Sequence, residues 1–451
     1  MSDRLFGTDG VRGLANGLLT AELATSLGVA AAEVLAESGE FSSHVTDRPF
    51  AIVGRDPRIS GEFLQAAVSA GLASAGVDVV DVGVVPTPAV AFLTDVTGAD
   101  LGVMLSASHN AMPDNGIKFF ARGGVKLDDS IEDAIESHLH THPNLPTGAG
   151  VGRIRQDHDL VEKYIDHLLS SIDQSLTGLK VVVDGANGSA SLIGPETLRR
   201  AGAQVITIHC EPDGLNINDN CGSTHMEDLF AAVAEHGADI GVAHDGDADR
   251  FLAVAEDGSF VDGDQILAIL ANGRKANQKL VGNTVVATVM SNLGFTLAMQ
   301  SLDINVVATA VGDRYVLEAM RDQGFTIGGE QSGHVVLSEY ATTGDGILTA
   351  LHVLNEMKRT GKTLSELASI VTRLPQVLVN VKGVDKLKVS NPTLVAAVEK
   401  AESELGQTGR VLLRPSGTEP LIRVMVEAQS QEQAQSVANQ LAQVVSETCG
   451  L

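Results

Sequence analysis

Short apolar runs alternate along this chain with stretches whose apolar positions recur at helical spacing, and the alternation repeats. Strands are predicted at Phe50–Val53, Lys180–Val183 and Thr284–Thr288. Each is followed by a polar or glycine-containing turn (GRDPRIS, DGANGSAS, VMSNLG), a helix-like stretch and a second strand, at Val77–Val82, Gln204–Ile208 and Ile304–Thr309. A third strand in each set runs into a polar loop: ADLGVMLSASHN from Ala99, ADIGVAHDGDADR from Ala238 and FTIGGEQSGH from Phe325. Beyond each loop lie an apolar stretch, a turn and a helix candidate, near Ser130, Asp264 and Gly346. Such self-similarity marks a repeated unit, and helices between strands favour parallel pairing. If the repeats share one fold, the three polar loops occupy equivalent strand ends, where open α/β sheets bind ligands.

After Pro375 the pattern changes. A strand at Val377–Val381, a helix at Leu394–Leu405, strands at Val411–Leu413 and Leu421–Glu427 and a helix from about Gln431 read as a smaller α+β domain. The polar stretch Pro143–Gly150 and the pattern changes near Asp257 and Arg373 divide the chain into 1–155, 156–257, 258–373 and 374–451. The expected fold class is α/β: three related α/β domains with mixed sheets plus the smaller C-terminal α+β domain, around a central cleft. A chain of 451 residues has room for several such cores.

Charge narrows the partners. With 31 Lys and Arg against 57 Asp and Glu, the formal charge of -26 opposes nucleic acid and anionic membranes, so any anionic ligand must meet a local basic pocket. The N-terminus lacks a basic segment followed by an apolar core, and no apolar run reaches the roughly 18 residues that span a bilayer. Cys210, Cys221 and Cys449 have no CxxC spacing and read as reduced thiols. Together these features place the protein in the cytoplasm.

Candidate chemistry sits in the loops. In AHDGDADR, Asp245, Asp247 and Asp249 stand at alternate positions, and crowded carboxylates suit a hard divalent cation such as Mg²⁺. An EF-hand would use the same aspartates with Glu256 at position twelve, but Arg250 replaces the glycine needed at position six and the flanks read as strands. Ser108 is bracketed by His109, Asn110 and Lys118, the setting of a nucleophile; Ser106 shares its side of the strand, so the pattern alone does not separate them. RPSGTEP (Arg414–Pro420) offers an arginine, hydroxyls and a glycine to a phosphate.

SASHN with downstream NGIK, then DGDADR, GEQSGH and RPSGTEP, in this order, resemble the four signatures of the α-D-phosphohexomutase superfamily over nearly the whole chain. The resemblance chooses Ser108 as the carrier of a phosphoryl group and implies Mg²⁺ held by Asp245, Asp247 and Asp249 together with Ser108. It implies that Glu330 and Ser332 read sugar hydroxyls, that Arg414, Ser416, Gly417 and Thr418 hold the non-reacting phosphate, and that Arg423 adds a second positive contact. Arg12, Lys118 and His334 fall at positions near the reacting group, with the general base left open among them, and His109 supports the serine loop. A TATA-box-binding-protein-like C-terminal domain and a homodimer are also implied.

GTDGVRG, NINDNCGSTH, TAVGDRYV and the glutamine of GEQSGH resemble most the members of the superfamily that act on hexosamine phosphates, and the resemblance implies a hexosamine phosphate converted between its 6- and 1-phosphates through a hexose 1,6-bisphosphate. The product would feed UDP-N-acetylglucosamine and cell-wall synthesis. A glucose or mannose phosphate substrate is the nearest alternative. A metal-dependent phosphatase and a non-catalytic sugar-phosphate sensor are the readings outside the mutases.

Overall fold

A computed structural model describes residues 4–7, 9–39, 48–139, 144–416 and 421–451. The chain divides into two compact units, Met1–Val289 with Val307–Ala368, and Met290–Val306 with Ser369–Leu451.

The predicted repeat is present as three sheets with one strand order. In the first, Asp114–Ala121 lies antiparallel to Leu101–Leu105, which pairs parallel with Phe50–Arg55, followed by Asp78–Val84. In the second the same places are taken by Leu252–Ala255, Ile240–Ala243, Lys180–Asp184 and Gln204–Ile208. In the third they are taken by Val335–Leu337, Ile327–Gly329, Thr284–Thr288 and Asn305–Thr309. All three sheets are mixed, as expected.

The middle strand of each repeat is apolar without alternation because both its faces are covered. Leu101–Leu105 and Ile240–Ala243 are buried at every position. A chain buried on both faces can expose polar groups only where the strand ends, so the three polar loops emerge at the same place in each repeat.

Besides the two-residue Val125–Lys126 beside Asp114–Ala121, two edge additions to the first sheet escaped the periodicity. Val11–Leu14 pairs antiparallel with Asp114–Ala121, placing Arg12 opposite Gly116, and Ile154–Gln156 pairs parallel with Asp78–Val84. Both strands are too short to carry a period.

In the smaller unit, Gln376–Lys382, Leu421–Glu427 and Arg410–Pro415 form one antiparallel sheet. Leu394 and Leu405 of the helix Pro392–Leu405, and Leu441 and Val445 of Gln431–Cys449, share a core with Ile422, Val424 and Val426. The helix Leu293–Ser301 connects Thr284–Thr288 to Asn305–Thr309 as the third repeat predicts, and by its contacts it is grouped with this unit. The buried carboxylate of Glu427 explains it by accepting hydrogen bonds from Leu293 N at 2.8 Å and from Arg410 Nε at 2.9 Å. Among the described residues no helix is long and apolar enough to cross a membrane.

Candidate active site

Leaving the strand at Leu105, the chain turns through Ser106, Ala107 and Ser108, all fully buried. The two serines that strand alternation alone does not separate do different work. Ser106 Oγ donates to Asp56 Oδ2 at 2.6 Å and accepts from Ser108 N at 2.9 Å, so it is committed to holding the turn. Ser108 stands at φ +52°, a left-handed conformation that costs a residue with a side chain about 1–2 kcal/mol. Its Oγ lies 2.5 Å from Asp245 Oδ2 and 3.3 Å from His109 Nδ1.

Asp245, Asp247 and Asp249 are all buried, and their nearest oxygens lie within 4.8 Å of one another. One oxygen of each, Oδ1, has no hydrogen-bond partner. Burial and mutual repulsion raise the carboxyl pKa of Asp245 and of Asp249. Asp247 suffers the same burial, yet Lys118 at 2.7 Å and Thr87 Oγ1 at 2.6 Å hold it well below the usual carboxylate range. Three buried carboxylates with unshared oxygens fit a hard divalent cation. The EF-hand reading fails, since Glu256 is engaged by Ser365 Oγ at 2.5 Å.

A second cluster, Asp184, His209 and Cys221, also brings potential ligands within 4.8 Å of one another. It differs in that its charge is already met inside the protein. Asp184 accepts from Ala186 N at 2.8 Å and Gly222 N at 3.0 Å and pairs with His209 at 2.9 Å. Burial pushes the Cys221 thiol up to about 12, so it is not a thiolate at neutral pH.

The cations follow an alternating chain that sequence reasoning found only in part. Lys118 bridges Asp247 and, at 2.9 Å, Asp9; Asp9 also pairs with Arg12 and with Lys126 at 2.9 Å; Lys126 continues to Asp313. Although burial disfavours the charge, Asp247 and Asp9 raise the pKa of Lys118, and Asp9 raises that of Arg12. Both remain cations. His334 Nε2 lies 3.8 Å from both Asp249 and Asp313, and both its ring nitrogens are buried without a hydrogen-bond partner. Burial and the nearby Arg250 and Arg12 push His109 down to about 4, so it is neutral. Asp9 and Asp313 stand inside GTDGVRG and TAVGDRYV, segments that do not reveal what these carboxylates pair with, and Lys126 carries no local motif; their pairing depends on contacts as distant in sequence as Lys126 to Asp313.

The sugar-loop candidates adjoin this chain. Phe251 N donates to Gly333 O at 3.0 Å, joining the acidic loop to GEQSGH. Glu330 accepts from Gly312 N at 3.1 Å, and Ser332 Oγ is buried without a partner.

In the smaller unit, Arg414 and Arg423 stand directly opposite each other on neighbouring antiparallel strands. Like charges so placed repel, and neither pairs with a carboxylate among the described residues, which suits a bound anion. Ser416 follows, buried, with its backbone N donating to Leu421 O at 3.0 Å. Gly417 and Thr418 lie outside the described residues.

Comparison with known proteins places this geometry in company. Models of the phosphoglucomutase/phosphomannomutase alpha/beta/alpha domains I, II and III match residues 3–145, 162–258 and 262–374, and that of the C-terminal domain matches 376–444. A phosphoglucosamine mutase of a Nocardioides species is 63% identical over 449 residues, covering 99% of this chain and 100% of that one. Among solved structures, a phosphoglucomutase/phosphomannomutase family protein from Burkholderia thailandensis superposes with a TM-score of 0.82 at 24% identity, covering 99% and 98% of the two chains. An Aspergillus fumigatus N-acetylphosphoglucosamine mutase, solved with GlcNAc-6P and magnesium, shares the fold at a TM-score of 0.69 and 19% identity, covering 99% and 96%.

Proposed function

Because the chain belongs to the phosphoglucomutase/phosphomannomutase family, and matches a phosphoglucosamine mutase along its length, we propose that it interconverts glucosamine 6-phosphate and glucosamine 1-phosphate. The product serves UDP-N-acetylglucosamine synthesis. The observation that carries the reading is Ser108 Oγ set 2.5 Å from Asp245, beside three carboxylates with unshared oxygens.

In the proposed cycle Ser108 begins as a phosphoserine. A sugar hydroxyl attacks its phosphorus; the bond from phosphorus to Ser108 Oγ breaks, a bond to the sugar oxygen forms, and the hydroxyl proton leaves to a base. The product of this half is the 1,6-bisphosphate. After it turns, Ser108 Oγ attacks the other phosphate and recovers a phosphoryl group, releasing the isomerised monophosphate. No phosphate is lost to water.

Asp245, Asp247 and Asp249 would hold Mg²⁺, which when bound supplies positive charge against the phosphoryl oxygens. Lys118 and Arg12, fixed as cations by Asp247 and Asp9, stabilise charge on the transferring group and are poor bases. That leaves His334, with neither ring nitrogen hydrogen-bonded, to hold and return the hydroxyl proton. His109 flanks the serine. Glu330 and Ser332 read the sugar hydroxyls, while Arg414, Ser416 and Arg423 supply phosphate-holding chemistry.

The test is Mg²⁺-dependent conversion of glucosamine 1-phosphate, glucose 1-phosphate and mannose 1-phosphate by phosphorylated enzyme, with free phosphate monitored in parallel. A glucosamine preference without phosphate release is expected, with Ser108→Ala folded and inactive. Preference for another sugar would move the substrate within the family, and phosphate release alone would make the protein a phosphatase.

A further inference from the structure

The left-handed turn at Ser108 is held by groups that never touch its reacting oxygen. Its carbonyl oxygen accepts hydrogen bonds from Arg58 Nη2 at 3.0 Å and from the Asn218 side-chain amide at 2.8 Å. The same two donors meet again on the Asn110 carbonyl, at 2.8 and 3.0 Å. Arg58 Nη1 adds a bond to Ala111 O at 2.6 Å. The donors approach from different repeats: Arg58 lies in GRDPRIS, after the first strand of the first, and Asn218 in NINDNCGSTH of the second. A backbone bond from Ile59 N to Gly214 O at 2.9 Å ties the two segments together.

We infer that Arg58 and Asn218 form a paired clamp that positions the nucleophile, fixing the turn from Ser108 to Ala111 so that Oγ meets the acidic trio. The inference rests on Ser108 being the phosphoryl carrier. An arginine in a phosphate-transferring site would ordinarily be taken for a phosphate ligand. Arg58 is not placed to be one. It is 0% exposed, and Nε to Asp56 at 2.9 Å, with the three bonds above, engages four of the five N–H groups of a guanidinium.

Asp56 closes the circuit. It accepts from Arg58 N at 2.9 Å and from Ser106 Oγ at 2.6 Å, and Ser106 in turn receives Ser108 N. On the other side, Asn218 takes its own left-handed conformation, φ +58°, with its N donating to Ala186 O at 2.9 Å. Room for its amide is made by Gly246, between two of the aspartates. A Cβ there would stand 2.6 Å from Ser108 O and 2.9 Å from Asn218 Nδ2. The acidic loop and the clamp are thus packed against one carbonyl, which makes both Ser108 and the trio depend on where that carbonyl sits.

Asn218→Ala, Arg58→Lys and the double variant test this. The readouts are kcat and KM for the mutase reaction and the rate at which Ser108 takes up phosphate from glucose 1,6-bisphosphate, followed by intact mass. Each single variant should lose about 10- to 100-fold in kcat and in phosphate uptake, the scale of a misplaced reacting group, with KM within about twofold. The double variant should lose more than the product of the two, because each donor covers for the other on shared carbonyls. Wild-type kcat in folded single variants would overturn the clamp. So would a raised KM at unchanged kcat, the mark of a group that binds ligand directly. If Arg58→Lys fails to fold by circular dichroism, Asn218→Ala decides alone. Turnover surviving in Ser108→Ala, or phosphate found on another residue, would instead strike at the reading beneath the inference.

Discussion

His334 is a buried side chain whose two ring nitrogens both lack a hydrogen-bond partner. An unmatched buried donor or acceptor costs about 1–3 kcal/mol, so its retention beside Asp249 and Asp313 argues for work done on a ligand. Replacing it with alanine should lower kcat by about 100-fold or more, the usual weight of a general acid–base group. Intact mass should still find phosphate on Ser108, since the loss lies in proton transfer. Single residues of this kind were legible where a motif named them: Ser108, the three aspartates, Lys118 and His334 meet in space. The partners of Asp9, Lys126, Asp313 and Arg58 were not legible, even where GTDGVRG, TAVGDRYV and GRDPRIS contain the residue. An ion pair between positions far apart leaves no spacing to read, and a buried arginine looks in sequence like any surface one.

At the scale of elements, helix starts support the loops. The helix Gly263–Ala276 begins with the Asp262 carboxylate accepting from Gln265 N and the Gln265 side-chain oxygen accepting from Asp262 N, and its first residue lies against GEQSGH. A Cβ on Gly263 would stand 2.2 Å from Glu330 O and 2.7 Å from Gly333 N. Gly263→Ala should therefore displace GEQSGH and cost about 10- to 100-fold in kcat/KM. The helix Gly346–Thr360 begins at Asp345, whose carboxyl is pushed up to about 6 by burial, against hydrogen bonds from Leu348 N and Tyr164. An unfolded aspartate releases its proton near 4. Folding therefore binds a proton between these values, and this group's contribution to stability is complete below about pH 4 and lost as pH rises through about 6. Urea melts should show that slope, roughly 2–3 kcal/mol, flattened in Asp345→Asn. The strands were read well because their apolar runs are continuous. Val11–Leu14, which brings Arg12 and Asp9 to the site, was invisible because four residues hold too little pattern to mark a strand.

For the whole molecule, the acidic trio stores repulsion that folding alone does not relieve. Mg²⁺ should raise the melting temperature, by an amount equivalent to about 2.7 kcal/mol at 100 times its Kd, and a chelator should abolish both that gain and turnover. Asp245→Asn should melt higher than wild type without Mg²⁺, yet gain little from it and lose turnover, because activity depends on charges that oppose stability. The threefold plan was readable in the chain, and the three sheets repeat one strand order. The helix Leu293–Ser301 joins the strands Thr284–Thr288 and Asn305–Thr309 as that plan expects, and its tie to Glu427 is a long-range contact that periodicity does not encode. The identical strand ends have a consequence in mass action. Loops bearing Ser108, the three aspartates and GEQSGH, if carried on separate copies of the unit, would meet only as often as their concentration allowed. Joined in one chain, they face one another at a fixed effective concentration, so dilution does not separate Ser108 from Asp245.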